Sequence, residues 1–173
     1  MARAFVSLGS NIEPEANIEE ALRRLASRVQ VVGVSTFYHS EPVGPPGQPP
    51  FLNGVVEVRT DLPARDLKFG VLRRIEAELG RVRTADTYAP RRIDLDLLIY
   101  DECVTASREL TLPDPDITSR PFLAVPLGEL APDLVLPGDG RTMGEVAAEL
   151  AGHGMSQAAA YSAKVRESVS HEP

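Results

Sequence analysis

The sequence of 173 residues lacks several features on which other classes of protein depend. Cys103 is its one cysteine, which excludes a disulfide framework and a metal site built on cysteines. No stretch approaches the roughly 18 apolar residues that a membrane-spanning helix needs, so we predict no membrane segment. The opening residues 1–5 lead directly into a predicted strand, without the long apolar region of a signal peptide, and we therefore expect a cytoplasmic protein.

Positive charge is also scarce, since 18 basic residues face 25 acidic ones and the formal net charge is −7. This balance disfavours general binding to nucleic acid or to a membrane surface. Lys68 and Lys164 are the two lysines, and neither follows a glycine-rich loop, so the Walker phosphate-binding motif is absent. The three histidines lack the spacing of metal ligands, and we assign them no role.

The composition nevertheless supports a folded domain. Hydrophobic residues make up 43% of the chain, which is enough for a substantial core at this length. The sequence shows no internal repeat and no linker, so we predict a single domain over residues 1–155. Residues 156–173 are small and polar, and we expect them to form a flexible tail.

Hydrophobic periodicity predicts four strands before residue 101. Each segment either alternates apolar with polar side chains or is rich in valine, as strands of a half-buried sheet are. The segments span residues 3–8, 29–38, 51–60 and 93–100.

Two helices are predicted between these strands and one after them. Asn11 could cap the first helix, whereas the second follows Pro63 and stops at Gly80. Thr142 and Glu145 form the capping-box signature of a final helix. The order β-α-β-β-α-β predicts an α+β fold, a ferredoxin-like sandwich with helices on one face of an antiparallel sheet and an appended C-terminal region.

The strand at residues 93–100 carries the most informative pattern of the chain. Its apolar residues alternate with Asp94 and Asp96, whose Cα atoms are about 6.6 Å apart and whose side chains share one face of the strand. Carboxylates at this separation repel each other unless a cation lies near them. Hard oxygen ligands suit Mg²⁺, which uses one or two carboxylates together with water and substrate phosphates. The pattern therefore predicts a magnesium site.

Four arginines precede this strand closely. They are Arg81, Arg83, Arg91 and Arg92, and Asp86 is the one acid among residues 81–92. Guanidinium groups bind phosphate oxygens with two parallel hydrogen bonds, so arginines beside a carboxylate pair provide what metal-assisted phosphoryl transfer requires. The alternative is a solvated strand face on which each aspartate pairs with a nearby arginine.

A proline-rich loop at residues 41–50 connects the second and third strands, and five of its ten residues are prolines. Such a loop could hold backbone donors in place beside a ligand, or it could be a rigid connector or a polyproline ligand for a partner domain. Phe51 and Asn53 follow it on one strand face. They could stack on a flat heterocycle and bind its amide edge, although a phenylalanine at this position is more often part of the core.

These segments together resemble the 6-hydroxymethyl-7,8-dihydropterin pyrophosphokinase family, from Phe5 to about Pro137. The matching segments are LGSN at 8–11, PVGP through FLN at 42–53, GRVR at 80–83, PRRIDLD at 90–96 and LTLP through RPF at 110–122. The resemblance implies the transfer of pyrophosphate from ATP to the pterin hydroxymethyl in folate biosynthesis, giving AMP and the pterin diphosphate. It agrees with the predicted ferredoxin-like fold, and we expect a monomer or a weak homodimer.

The resemblance also implies roles at the phosphate end of the site. Asp94 and Asp96 would bind two Mg²⁺ ions that bridge the ATP phosphates. Arg81 and Arg91 would hold the phosphates and complete the catalytic set, while Arg83 would close over them with a mobile loop at residues 82–90. The other residues implied to contact ATP are Glu76, Leu97, Thr111, Asp114 and Arg120.

At the pterin end, the resemblance implies that Phe51 and Phe122 sandwich the ring and that Asn53 hydrogen-bonds its edge. Backbone groups nearby would complete the recognition. The implied pterin-binding residues are Ser40, Pro42, Val43, Phe51, Asn53 and Phe122.

Two residues depart from the family pattern. Asp114 stands where the family usually has a histidine near the nucleotide phosphates, and Thr87 replaces a basic residue in the arginine loop. Both changes remove positive charge, and a carboxylate repels ATP unless a cation lies beside it. We therefore expect weaker ATP binding than in a typical member.

Other functions are less compatible with the sequence. A non-catalytic paralogue that binds pterin or nucleotide would be free to lose the acids and arginines that are retained here. A D-x-D glycosyltransferase would need a sugar-nucleotide domain of greater length. An RNA-binding domain of the same strand order would carry an aromatic strand motif that this chain lacks, and its net charge would be unfavourable.

Overall fold

A computed structural model describes residues 1–42 and 44–170 of the chain. Within these residues, the strands form a six-stranded main sheet and a small two-stranded sheet. In chain order they are β1 (Ala2–Ser10), β2 (Gln30–Val34), β3 (Tyr38–Ser40), β4 (Phe51–Thr60), β5 (Asp94–Tyr100), β6 (Thr105–Ala106), β7 (Thr111–Leu112) and β8 (Met155–Gln157).

The main sheet has the order β5-β1-β4-β3-β8, with β2 also paired to β4, and all of these pairs are antiparallel. The second predicted strand, residues 29–38, corresponds to β2 and to the first residue of β3, and between them the Ser35 hydroxyl accepts a hydrogen bond from the Val55 N–H. The predicted strands thus lie in the spatial order four, one, three, two. This is the ferredoxin-like arrangement, and the predicted α+β fold is confirmed.

Helices cover both faces of the sheet. Those described are α1 (Pro14–Ala26), α2 (Ala64–Asp66), α3 (Arg73–Glu78), α4 (Pro121–Leu130), α5 (Met143–Leu150) and α6 (Ala159–Ser170), with π-helical turns at Leu67–Leu72 and a 3-10 turn at Pro115–Thr118. In this part of the chain, no helix has both the length and the apolar character needed to cross a membrane.

The two faces of the sheet have separate cores. Helix α1, the π-helical turns and α3 pack on the face that carries Val6 and Leu95. Helices α4 and α5, from the appended region, cover Phe5 and Val55 on the other face. The predicted sandwich has helices on one face of the sheet, and the appended region adds a second helical layer on the other face. That layer covers only part of the second face, and the uncovered part carries the site.

A bulge in β5 changes which side chains share a face. Phe5 pairs with Ile99 and Val6 with Leu97, so Leu98 is an extra residue on β5. A bulge inverts the alternation of the residues that follow it. Ile99 therefore packs in the core with Phe5, and not with Leu95 as strict alternation predicted.

The first helix begins differently from the prediction. It starts at Pro14, after Glu13 in a left-handed conformation with φ of 42°, and no side chain caps it. The predicted cap role of Asn11 is therefore wrong, because the Asn11 side chain is bonded to other loops. The predicted capping box is present at α5, where the Thr142 hydroxyl accepts a hydrogen bond from the Glu145 N–H at 3.2 Å.

The flexible tail predicted for residues 156–173 is wrong as far as residue 170. β8 extends the sheet beside β3, and α6 places Tyr161 in the core, with its ring 5.5 Å from that of Phe37 in an edge-to-face contact. The Ser162 hydroxyl accepts a hydrogen bond from the Phe37 N–H at 2.8 Å. These contacts order a segment whose composition is mostly small and polar.

Candidate active site

A cavity of about 360 Å³ opens at the end of the sheet where β1 finishes and β4 and β5 begin. Part of the loop 81–92 and the start of α4 complete its walls. Its lining includes Ser40, Phe51, Asn53, Arg91, Asp94, Arg120 and Phe122. The fold thus brings residues predicted for the pterin into the same cavity as residues predicted for the phosphates.

Asn53 is held in one orientation at the floor of this cavity. It is 9% exposed, and its Nδ2 donates a hydrogen bond to the Ser40 hydroxyl at 2.7 Å. Gly9 is its pairing partner on β1, where a Cβ atom would lie 2.6 Å from Asn53 Oδ1. Glycine at position 9 is therefore required for the Asn53 carboxamide to occupy this place.

The other predicted pterin residues are placed less uniformly. Phe51 and Phe122 are both half-buried and line the cavity, as the two sides of a flat-ring site would. Pro42 is half-buried but does not line it, and Val43 lies outside the described residues.

Asp94 and Asp96 project from one face of β5, as predicted, but their surroundings differ. Arg81 contacts Oδ1 of Asp94 and Arg91 contacts Oδ2, so both oxygens of this carboxylate are engaged. The Asp96 carboxylate accepts no hydrogen bond from the described residues, and its ion-pair partner among them is Arg73, with Nη2 3.7 Å from Oδ1. Asp96 is therefore the more accessible ligand for a cation.

Glu76 on α3 is the buried carboxylate that organises the arginines. Its side chain is 3% exposed and accepts hydrogen bonds from the Leu95 N–H at 2.9 Å and from Arg73 and Arg83 at 3.1 Å. Arg81 contacts it as well. Burial raises the pKa of Glu76 to about 7, against the Leu95 hydrogen bond and the charges of Arg81 and Arg73, which lower it.

Negative charge accumulates around Asp96. Burial by the surrounding atoms and the charge of Asp94 raise the pKa of Asp96 to about 6, although 41% of the side chain is still exposed to the cleft. Asp114 contributes to this repulsion. Burial also raises the pKa of Asp114, although its carboxylate accepts a hydrogen bond from the Asp116 N–H at 2.9 Å, which acts in the opposite direction. Such a cluster of acids favours a cation.

The remaining residues predicted to contact ATP lie around the acids. The Leu97 side chain is buried in the core, so its backbone alone is available for a contact. Thr111 is exposed on β7, Asp114 caps the 3-10 turn, and Arg120 precedes α4 beside the cavity. Arg83 is 53% exposed at the start of the arginine loop.

Asn11 ties the arginine loop to the proline loop. Its backbone N–H donates to the Arg91 carbonyl at 3.1 Å, and its Oδ1 accepts from the Arg91 N–H at 2.8 Å. Its Nδ2 donates to Gln48 Oε1 at 3.3 Å and to the Pro49 carbonyl at 3.4 Å. Gln48 in turn donates to the Tyr88 carbonyl. The two loops that border the cavity are thus connected through one side chain.

Three residues that contribute to this site were not predicted from the sequence. Gly9 and Asn11 belong to the LGSN segment, whose position directly after a strand was the signal for a role beyond helix capping. Arg73 gave a weaker signal, since it lies three residues before Glu76 and could face the same side of a helix. Its contact with Asp96 depends on the packing of α3 against β5, which periodicity does not reveal.

The residues present fit a magnesium ion. In the described ranges 1–42 and 44–170, no group of three or more His, Cys, Asp or Glu side chains forms a complete metal cage. Mg²⁺ does not need one, because it takes one or two carboxylates and completes its shell with water and substrate oxygens. Asp94 and Asp96 provide this donor set beside a cavity that is open to a ligand.

Comparison with known proteins agrees with this geometry. The model of the 7,8-dihydro-6-hydroxymethylpterin-pyrophosphokinase family matches residues 5–132. A 2-amino-4-hydroxy-6-hydroxymethyldihydropteridine pyrophosphokinase from Haemophilus influenzae is 38% identical over 158 residues, covering 90% of this chain and 97% of that protein. Its namesake from Pseudomonas aeruginosa is 43% identical over 150 residues, covering 84% and 90%.

The solved structure of wild-type HPPK-DHPS from Plasmodium falciparum superposes with a TM-score of 0.68 over 86% of this chain, at 13% sequence identity. This likeness concerns the fold alone, and the present chain spans 44% of that longer one. Because the family model covers most of the chain and both bacterial relatives are matched over nearly their whole length, this chain belongs to the 7,8-dihydro-6-hydroxymethylpterin-pyrophosphokinase family.

Proposed function

We propose that this protein transfers the pyrophosphoryl group of ATP to the hydroxymethyl group of 6-hydroxymethyl-7,8-dihydropterin, giving AMP and the pterin diphosphate. One observation carries the proposal: a single cavity is lined both by Phe51, Phe122 and Asn53 and by Arg91 and Asp94. A flat heterocycle and a polyphosphate can therefore meet inside it. The names of the relatives specify the same substrate class.

The pterin end supplies stacking and a polar edge. The half-buried rings of Phe51 and Phe122 offer apolar faces for a planar ring. Asn53 presents a carboxamide whose donor and acceptor complement an amide edge. Ser40 and Gly9 fix that carboxamide before the ligand arrives, which reduces the entropy lost on binding. We propose the backbone of Ser40, which also lines the cavity, as a further contact beside it.

The phosphate end supplies carboxylates and guanidinium groups. We propose that Asp94 and Asp96 hold two Mg²⁺ ions, which when bound neutralise charge on the transferring group and on the leaving AMP oxygen. Arg81 and Arg91 bind phosphate oxygens, and Arg83 closes over them with the loop 82–90. Glu76 keeps these arginines near β5 through its bonds to Leu95 and to the guanidinium groups.

The nucleotide is proposed to reach the acids from the side of α3 and β7. We propose that Thr111, Asp114, Arg120 and the Leu97 backbone contact it. No side chain is needed as a general base, because positioning and neutralised charge suffice for attack by the pterin hydroxyl on the β-phosphorus. The site is assembled within one chain, which supports a monomer or a weak homodimer, and the use of ATP supports a cytoplasmic enzyme.

The test is the release of AMP from ATP in the presence of Mg²⁺ and the pterin. We expect turnover by the wild type and a loss of at least about a hundredfold in kcat/KM for Asp96→Asn, since this change removes a charged metal ligand while conserving volume. Asp86→Asn, in the exposed part of the arginine loop, is the matched control and should retain activity. A wild type that binds the pterin but releases no AMP would instead identify a non-catalytic paralogue.

A further inference from the structure

Arg73 is the residue from which a further role can be inferred. It opens α3, and its Nη1 donates to both carboxylate oxygens of Glu76 at 3.1 Å. Its Nη2 faces Asp96 Oδ1 at 3.7 Å. Hydrogen bonds from N–H groups to oxygen are usually about 2.7–3.2 Å long, so the contact with Asp96 is an ion pair without a hydrogen bond.

The contact between Arg73 and Asp96 is weaker than those around Asp94. Asp94 has an arginine nitrogen on each oxygen, whereas Asp96 has the distant Nη2 of Arg73 and is 41% exposed. An exposed ion pair at this separation contributes little to stability. The Arg73 fork can therefore leave Asp96 while its Nη1 stays on the buried carboxylate of Glu76.

Arg73 also borders a groove that could receive an anion. A groove of about 590 Å³ lies between α3, the π-helical turns and the hairpin of β6 and β7. Its basic lining residues are Lys68, Arg73, Arg81, Arg83 and Arg108, against two acids, Glu76 and Glu109. The chain as a whole is acidic, so this concentration of positive charge is local. Two of these residues, Arg73 and Arg81, also contact the carboxylates of β5.

We propose that Arg73 is a nucleotide-binding residue, which exchanges its contact with Asp96 for an oxygen of the ATP polyphosphate. The inference rests on the proposed function, since it assumes that a metal-bound nucleotide reaches Asp96. Arg73 Nη2 and a metal ion compete for the same carboxylate oxygen. When Asp96 turns to a cation, Nη2 is freed beside the groove that Arg73 lines, where a guanidinium group can bind a phosphate oxygen. Glu76 acts as the pivot.

Substitution of Arg73 should change two binding affinities in opposite directions, and neither measurement requires turnover. The first is the affinity for Mg²⁺ alone, and the second is that for a fluorescent, non-hydrolysable ATP analogue with saturating Mg²⁺. Arg73→Gln removes the competing charge, so the affinity for Mg²⁺ alone should rise about fivefold, as expected for one solvated charge about 4 Å away. The affinity for the analogue should fall roughly tenfold, as for a lost charge-assisted hydrogen bond.

Two further variants separate this role from a structural one. Arg74→Gln is the matched control, because Arg74 is adjacent, is 71% exposed and pairs with Glu78 away from the groove. It should leave both affinities unchanged. Arg73→Lys keeps the charge without the planar fork, so it should restore the wild-type affinity for Mg²⁺ and only part of the affinity for the analogue.

The inference is overturned if Arg73→Gln and Arg74→Gln bind the analogue equally well. It is also overturned if Arg73→Gln weakens Mg²⁺, analogue and pterin binding together with a lowered Tm, since that combination indicates a structural residue. Turnover by the wild type with no selective effect of Arg73→Gln leaves the proposed function intact and rejects this inference. If the wild type releases no AMP but Arg73→Gln selectively loses analogue binding, the inference is supported and the proposed function is rejected.

Discussion

At the scale of single residues, the site depends on carboxylates whose environments differ although they lie within a few ångströms of the same arginines. Glu76 is enclosed and bonded on both oxygens, Asp94 is bonded on both oxygens near the surface, and Asp96 is open to the cleft. Burial and pairing thus assign a structural task to Glu76 and leave Asp96 free for a cation.

Replacing Glu76 with alanine should lower the free energy of unfolding by about 3 kcal/mol, because it leaves buried charged partners and the Leu95 N–H without an acceptor. Chemical denaturation measures this value. Glu78→Ala is the control at the exposed end of the same helix, where the solvated pairs with Arg24 and Arg28 should contribute much less to the free energy of unfolding. Equal losses in the two variants would refute the central structural position of Glu76.

Gly9→Ala tests the orientation of the Asn53 carboxamide. The new Cβ atom would lie 2.6 Å from Asn53 Oδ1, so the side chain must move and the hydrogen bond to Ser40 is lost. We expect the affinity for the pterin to fall about tenfold, the equivalent of about one well-placed hydrogen bond, with nucleotide affinity retained. Calorimetric titration with each ligand measures this difference.

Gly70→Ala serves as the control for that substitution, because a Cβ atom at position 70 would have no neighbour within 4 Å. It should bind the pterin like the wild type. If Gly9→Ala also does so, Asn53 is not the residue that recognises the edge of the ring.

At the scale of elements, periodicity predicted the strands before residue 101 and the acid face of β5, but not β8, because burial on one side of a sheet imposes alternation only on strands long enough to show it. It did not reveal the bulge at Leu98, since a bulge depends on the pairing partner. The π-helical turns at Leu67–Leu72 were not predicted for a different reason, because one wide turn leaves the four-residue spacing of apolar residues almost unchanged.

The C-terminal helix was missed although its signal is present. Tyr161, Val165 and Val169 recur at four-residue steps, and the first two are buried in α6. The small and polar residues between them dominated the composition and suggested a tail. Composition alone is therefore a poor guide where two buried apolar residues are enough to pack a helix against the core.

Tyr161→Ala should lower the free energy of unfolding by about 3 kcal/mol, because it removes a buried ring that contacts Phe37. Lys164→Ala, on the exposed side of the same helix, should change it much less, because its ion pair with Glu19 is solvated. Thermal or urea unfolding compares the two. A loss in Tyr161→Ala no greater than in Lys164→Ala would show that α6 does not stabilise the domain.

At the scale of the whole molecule, the ferredoxin-like sandwich explains where the site lies. The appended helices α4 and α5 cover one end of the second sheet face and leave the other end open, where β1, β4 and β5 terminate together. The two loops tied by Asn11 border that opening. The sequence motifs identified most of these residues, but their distances and the pairing of acids with arginines depend on the packing of α3 against β5.

The most direct test of the account is a crystal structure with Mg²⁺, a non-hydrolysable ATP analogue and the pterin. We expect metal density at Asp94 and Asp96, the guanidinium groups of Arg81 and Arg91 on phosphate oxygens, and the pterin between Phe51 and Phe122. Density showing both oxygens of Asp94 still bonded to arginine, with no ion beside Asp96 while the ligands are bound, would contradict it.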